Sequence, residues 1–161
     1  MLSRIHRKGS PMSKPLAFAW MALVSALLLA VPALADTDSV KVYKSPTCGC
    51  CGKWIEHLEA HGFEVAAEDT HGLDQLKDDN AIPSALRSCH TAFVGGYVIE
   101  GHVPAEDVKR LLRERPEVAG LAVPDMPIGS PGMEGPRPEP YEVLTFGGKQ
   151  GTSVFASHGP Q

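Results

Sequence analysis

The stretch VKVYKSPTCGCCGKWIEHLEAHGF, Val40 to Phe63, decides the fold. Val40 to Tyr43 is a short β-rich run that ends at Ser45-Pro46. From Cys51 to Ala60 the apolar spacing becomes helical, with Trp54, Ile55 and Leu58 on one side, and His61-Gly62 stops it with glycine as the C-terminal cap. Between strand and helix stand Cys48, Cys50 and Cys51, three cysteines in four positions. A loop so placed sets its sulfurs at a helix N-terminus, where unpaired N–H groups and the macrodipole favour thiolate over thiol. These cysteines are therefore expected to react or to ligate.

Working outward, Phe63 to Ala67 reads as a second strand and Leu73 to Lys77 as a short helix ending before the loop that contains Pro83. Thr91 to Val94 and Tyr97 to Glu100 flank Gly95-Gly96, the pattern of a two-residue hairpin. Pro104 opens a helix over Ala105 to Arg113, with Val108, Leu111 and Leu112 as its buried stripe. From Pro124 to Pro140 proline and glycine dominate, which predicts a wrapping loop. Tyr141 to Phe146 and Thr152 to Ala156 are expected to pair as a terminal hairpin, with the last residues frayed. The fold class expected is α/β: a mixed sheet flanked by helices, with its core over about 40–115 and the loop and hairpin over 116–161.

The N-terminus carries a different signal. Arg4, Arg7, Lys8 and Lys14 form a basic n-region, Leu16 to Val31 is almost unbroken apolar, and Ala33-Leu34-Ala35 is a small-residue cleavage site. The apolar run nears the roughly 20 residues of a membrane helix, but Ser25, Pro32 and the A-x-A site point to a cleaved signal peptide over 1–35. One domain, Asp36 to Gln161, then remains, exported to the periplasm and free of the membrane. Taking the leader's four basic residues from the chain's 15 leaves 11 against 19 acidic ones, a net charge of −8. That balance argues against nucleic acid or anionic lipid as a partner and suits a protein that attracts cations.

The cysteine cluster admits four readings. A disulfide framework fits an even count of four in an exported protein, but three of the four crowd one turn, so only one long-range bridge, to Cys89, is available. A dithiol oxidoreductase would use Cys48 as nucleophile and Cys51 as resolving thiol, and gains nothing evident from a third sulfur. A tetrahedral zinc site of four thiolates, or of three thiolates and one imidazole, could be closed by Cys89 or His90, but the strong zinc signal is two C-x-x-C pairs and this chain has one cluster and a distant Cys89-His90. Copper(I) prefers thiolate and thioether, then imidazole, and thiolates from one short loop can bridge several ions. The chain supplies those further donors as Cys89, His90, His102, Met126 and Met133, the two methionines lying in PDMPIGSPGM without helical or strand periodicity. His57, His61, His71 and His158 read as surface residues.

The element order resembles a thioredoxin or glutaredoxin fold. In those enzymes a cis-proline precedes the strand facing the active-site cysteines, whereas Ser88-Cys89-His90-Thr91 stands at that place here. More closely, CGCCGKWIEHLEAHGF, IPSALRSCHTAFVGGYVIEGHVP and GLAVPDMPIGSPGM resemble the DUF411 family of exported metal-binding proteins. Over most of residues 41–133, this resemblance implies a thioredoxin-like domain whose C-x-C-C motif binds copper, one ion or several, with copper redox activity. It makes Cys48, Cys50 and Cys51 the principal ligands; Cys89, His90, His102, Met126 and Met133 follow from their chemistry and proximity. Asp125 stands where the family usually has glycine before the methionine. The partners implied are copper ions and another exported copper protein or redox partner.

Overall fold

The computed structural model describes residues 39–160; the expected signal peptide lies outside them. Along the chain run β1 (Ser39–Lys44), α1 (Gly49–Ala60), β2 (Glu64–Asp69), α2 (Leu73–Asp79), β3 (His90–Val94), β4 (Tyr97–Glu100), α3 (Ala105–Glu114), β5 (Gly120–Ala122), β6 (Tyr141–Gly148) and β7 (Gly151–His158). A single 3₁₀ turn, Ser84–Leu86, interrupts the loop after α2. The strands form one mixed sheet in the order β2-β1-β3-β4-β5-β6-β7. Strand β1 pairs parallel with β2 and antiparallel with β3, and β3 and β4 make the hairpin that Gly95-Gly96 predicts. This is the α/β, thioredoxin-like arrangement expected.

Helix α1 packs through Trp54 and Leu58, both without solvent exposure, onto a core that includes Val40, Val42, Ala92 and Ile99. Burial leaves the indole N–H needing a partner, and Trp54 Nε1 donates to the Val103 carbonyl at 2.9 Å. Losing such a ring from a core costs about 3–5 kcal/mol. The glycine cap at the end of α1 is as expected, with the Gly62 and Phe63 amides returning to the Glu59 and Leu58 carbonyls at 3.0 and 3.2 Å.

The segment beyond residue 116 does more than wrap. Strand β5, which no periodicity announces, pairs parallel with β4 and antiparallel with β6, so the terminal hairpin extends the main sheet. Leu121, Val123 and Val143 join the same core as Trp54. Three residues are too few to show a period of two. Gly120 is required by close approach: a Cβ there would stand 1.8 Å from the Val98 carbonyl oxygen. The terminal hairpin runs further than expected, because β7 reaches His158, whose Nε2–H donates to the Asp107 carboxylate at 2.6 Å. Nor is His57 a plain surface residue. It is half-buried, and its Nε2 accepts the Ala105 amide at the start of α3 at 3.1 Å.

Beneath the sheet end lies a fully buried ionic group. Lys77 Nζ meets Glu100 Oε1 at 2.5 Å and Thr91 Oγ1 at 2.9 Å, and the Thr91 hydroxyl donates to Glu100 Oε2 at 2.7 Å. Removing one member of a buried pair strands the other charge, at a cost of about 3–5 kcal/mol. Lys77→Met should therefore lower the urea-derived unfolding free energy by about that amount, and Lys77→Met with Glu100→Gln should be more stable than Lys77→Met alone. A double variant worse than the single would sink this account.

The His57 bond has a pH signature. Burial, with His61 adding, holds the His57 imidazole below its ordinary 6.5. Stability from its neutral form is present above the unfolded value and is lost as pH falls below about 6.5. One group gives at most about 1.4 kcal/mol per pH unit. In denaturant titrations at pH 7.5 and 5.5, His57→Gln should show a shallower loss between the two pH values than the parent chain.

Candidate metal centre

The cysteine loop is held at both ends. Ser45 to Cys48 forms a turn closed by the Cys48 amide on the Ser45 carbonyl at 3.1 Å, with Pro46 pre-setting its second position. Cys48 is the N-cap of α1 and makes no side-chain cap bond. The helix starts at Gly49, two residues before the apolar spacing announces it, so Cys50 and Cys51 occupy its first turn. Cys48 and Cys51 are joined as a disulfide with their Cα atoms 5.4 Å apart, while Cys50 and Cys89 are free. The bridge is thus the C-x-x-C pair and not a long-range bond to Cys89.

All four cysteine sulfurs nonetheless lie within 4.8 Å of one another. Cys50 Sγ is 3.4 Å from Cys48 Sγ. Cys89 is brought in from the start of β3, at the place where thioredoxin-like enzymes carry their cis-proline; no cis peptide occurs among the described residues. What fixes this loop is the buried ionic group, because Glu100 Oε1 accepts the Ser88 amide at 2.6 Å. Ser88 Oγ in turn donates to the Asp125 carbonyl, tying in the Pro/Gly-rich loop.

Cys89, His90 and His102 form a second converging set that shares Cys89 with the first. Cys89 Sγ stands 3.1 Å from His102 Nε2 and 3.4 Å from His90 Nδ1. His102 Nδ1 lies 2.7 Å from the Pro131 carbonyl, which can only accept. That bond places the ring proton on Nδ1 and leaves the Nε2 lone pair facing Cys89, the outer-shell arrangement typical of a metal-ligating histidine. His90 is the first residue of β3, one earlier than the expected strand, and packs on Trp54 with ring centroids 4.2 Å apart. Its Nε2 is buried without a hydrogen-bond partner, so a polar atom in the core has spare donor capacity.

Burial also sets the protonation states. It pushes the Cys89 thiol up to about 12, with neighbouring Cys50 adding to the effect. It holds His90 well below the ordinary imidazole range, helped by His102 and Lys77, and lowers His102 too. A protonated thiol donating to a neutral imidazole is the consistent description of the Cys89–His102 contact. Neutral imidazole is the ligating form, and a metal would displace the thiol proton.

The loop from Pro124 to Pro140 closes the site. Met126 Sδ lies 3.7 Å from Cys50 Sγ, and Met126 is 43% exposed. Asp125 has φ +58°, a left-handed conformation that aspartate tolerates and glycine takes freely. Gly132, at φ +85°, presses on α1: a Cβ would sit 2.8 Å from the Cys50 carbonyl and 2.9 Å from the Trp54 amide. Met133 lines, with Gly49, Cys50 and Lys53, an open groove of about 570 Å³ beside the cysteine loop.

The structure therefore gathers Cys48, Cys50, Cys51, Cys89, His90, His102 and Met126 into contacting sets and puts Met133 in the adjoining groove. Sequence reasoning missed the supports: Lys77, Thr91, Glu100 and the carbonyls of Asp125 and Pro131. Glu100 alone had a signal, a carboxylate closing an apolar strand that must be buried on both faces.

Comparison with known proteins agrees with this architecture. The family model described as "Protein of unknown function, DUF411" matches residues 86–133. Two solved structures titled "Copper resistance protein copG", Form 1 and Form 2, are each 42% identical with a TM-score of 0.71. They cover 76% and 75% of this chain, respectively, and 98% of theirs. No curated protein matches. With its cysteine loop, its Cys-His pair and its Pro/Gly-rich loop arranged on one thioredoxin-like sheet, the chain belongs to the DUF411, CopG-like family.

Proposed function

We propose that this chain is an exported copper-binding protein of copper handling or resistance, holding Cu(I) on the thiolates of its C-x-C-C loop. The observation that carries this reading is the convergence of four cysteine sulfurs, two neutral imidazoles and one thioether from four separate segments. The donor set fits copper better than zinc, because zinc sites take thiolate, imidazole and carboxylate, whereas a thioether 3.7 Å from a thiol is a soft pair. Relatives titled as copper-resistance proteins support the same metal. Cys48, Cys50, Cys51 and Cys89 would supply the thiolates, His90 and His102 the imidazoles, and Met126 and Met133 the thioethers. Sulfur favours Cu(I) and imidazole stabilises Cu(II), so one mixed site serves both oxidation states.

Export to the periplasm belongs to this reading through the basic, apolar and A-x-A pattern of residues 1–35. Among the described residues no helix is long and apolar enough to cross a membrane. The exposed Met126 edge is where an ion would be exchanged with another exported copper protein.

A second reading, thiol–disulfide exchange, is favoured by one specific observation, the Cys48–Cys51 disulfide at a helix N-terminus.

Two measurements separate the readings. In an anaerobic competition with a chromophoric Cu(I) chelator, Cys50→Ser should bind about tenfold more weakly or worse, a loss of about 1.4 kcal/mol; unchanged affinity would count against the thiolate cluster. For the exchange reading, insulin reduction should persist in Cys50→Ser and vanish in Cys48→Ser. No insulin reduction by the parent chain removes that reading.

A further inference from the structure

We infer that the Cys48–Cys51 disulfide is a redox gate on the metal centre, opened by a dithiol reductant that attacks Cys48; this rests on the copper reading above. The two bonded sulfurs belong to the same four-sulfur group that offers the metal site its thiolates. A sulfur in a disulfide is no thiolate, so the closed bond withdraws two of the four donors. The free cysteines, Cys50 and Cys89, remain, with the imidazoles of His90 and His102 beside Cys89. This gives the third cysteine of the loop a use that neither a dithiol enzyme nor a plain staple explains: Cys50 keeps a donor in place when its neighbours are oxidised.

Accessibility decides which sulfur is attacked. Cys51 has no solvent exposure, while Cys48 is half-buried at the helix cap. An incoming thiolate therefore forms its bond to Cys48 Sγ, the Cys48–Cys51 bond breaks, and Cys51 leaves as a thiolate that takes up a proton. The second thiol of the reductant then attacks its own sulfur in the mixed disulfide and releases Cys48. Two electrons and two protons pass from the dithiol to the chain, and the reductant ends as a disulfide. Cys50 Sγ, 3.4 Å from Cys48 Sγ, then completes a set of three adjoining thiols on one helical turn.

The test compares the purified chain in two states, fully reduced with dithiothreitol that is then removed, and with the Cys48–Cys51 bond intact. Thiol counting distinguishes them, with two free cysteines in the second state. Each is titrated anaerobically with Cu(I) against a chromophoric chelator. The reduced chain should compete about tenfold more strongly or better. Cys48→Ser, which cannot close the bond, should bind alike before and after dithiothreitol treatment. Cys51→Ser, with the same expectation, replaces it where Cys48→Ser fails to fold by circular dichroism. Equal, tight binding by both states of the parent chain overturns the gate and leaves the copper site standing. Failure of both states to compete overturns the copper reading, and the gate with it.

Discussion

A carboxylate with no solvent exposure has to be paired, and Glu100 is paired with the Lys77 ammonium, the Thr91 hydroxyl and the Ser88 amide. These partners come from α2, from β3 and from the loop between them, so one side chain at the end of β4 sets the positions of three segments. Its energetic contribution need not be large, because buried ion pairs barely offset their desolvation. Its structural effect is specific: it accepts the backbone just before Cys89. The loop that in thioredoxin-like enzymes is shaped by a cis-proline is shaped here by a hydrogen bond, and the position freed carries two donor side chains.

Around that anchor the centre is layered from dry to wet. His90, packed on Trp54, and His102 are both without solvent exposure, Cys89 is half-buried beside them, and Cys50 and Met126 meet at the surface. Desolvation acts on the inner groups in opposite directions: it raises the thiol and lowers the imidazoles. Each group is thereby kept neutral, which is how an uncharged core can carry ligating atoms without counter-charges.

Much of this was legible in the sequence. Strand, cysteine loop, helix and hairpin follow from short-range spacing and from Pro46, Gly62 and Gly95-Gly96, and each lies within two residues of where the pattern puts it. Cys89, His90, His102, Met126 and Met133 follow from donor chemistry and proximity, and the fold brings all but Met133 into contact with a partner donor. Strand β5 escaped because it is only three residues long and begins with Gly120, which is shaped by a neighbour's carbonyl rather than by its own propensity. The roles of His57 and His158 escaped because a histidine's partner, here the Ala105 amide or the Asp107 carboxylate, lies 48 or 51 residues away.

By itself the sequence determined every element but β5, the cysteine motif at a helix start and the soft character of the available donors, because these depend on local spacing and on side-chain chemistry. Only the tertiary structure decided which cysteines bond, which nitrogen of His102 is free and which protonation states burial enforces. Those outcomes depend on distances between segments far apart in the chain and on exclusion of water, and neither quantity exists until the sheet has closed over Trp54 and Glu100.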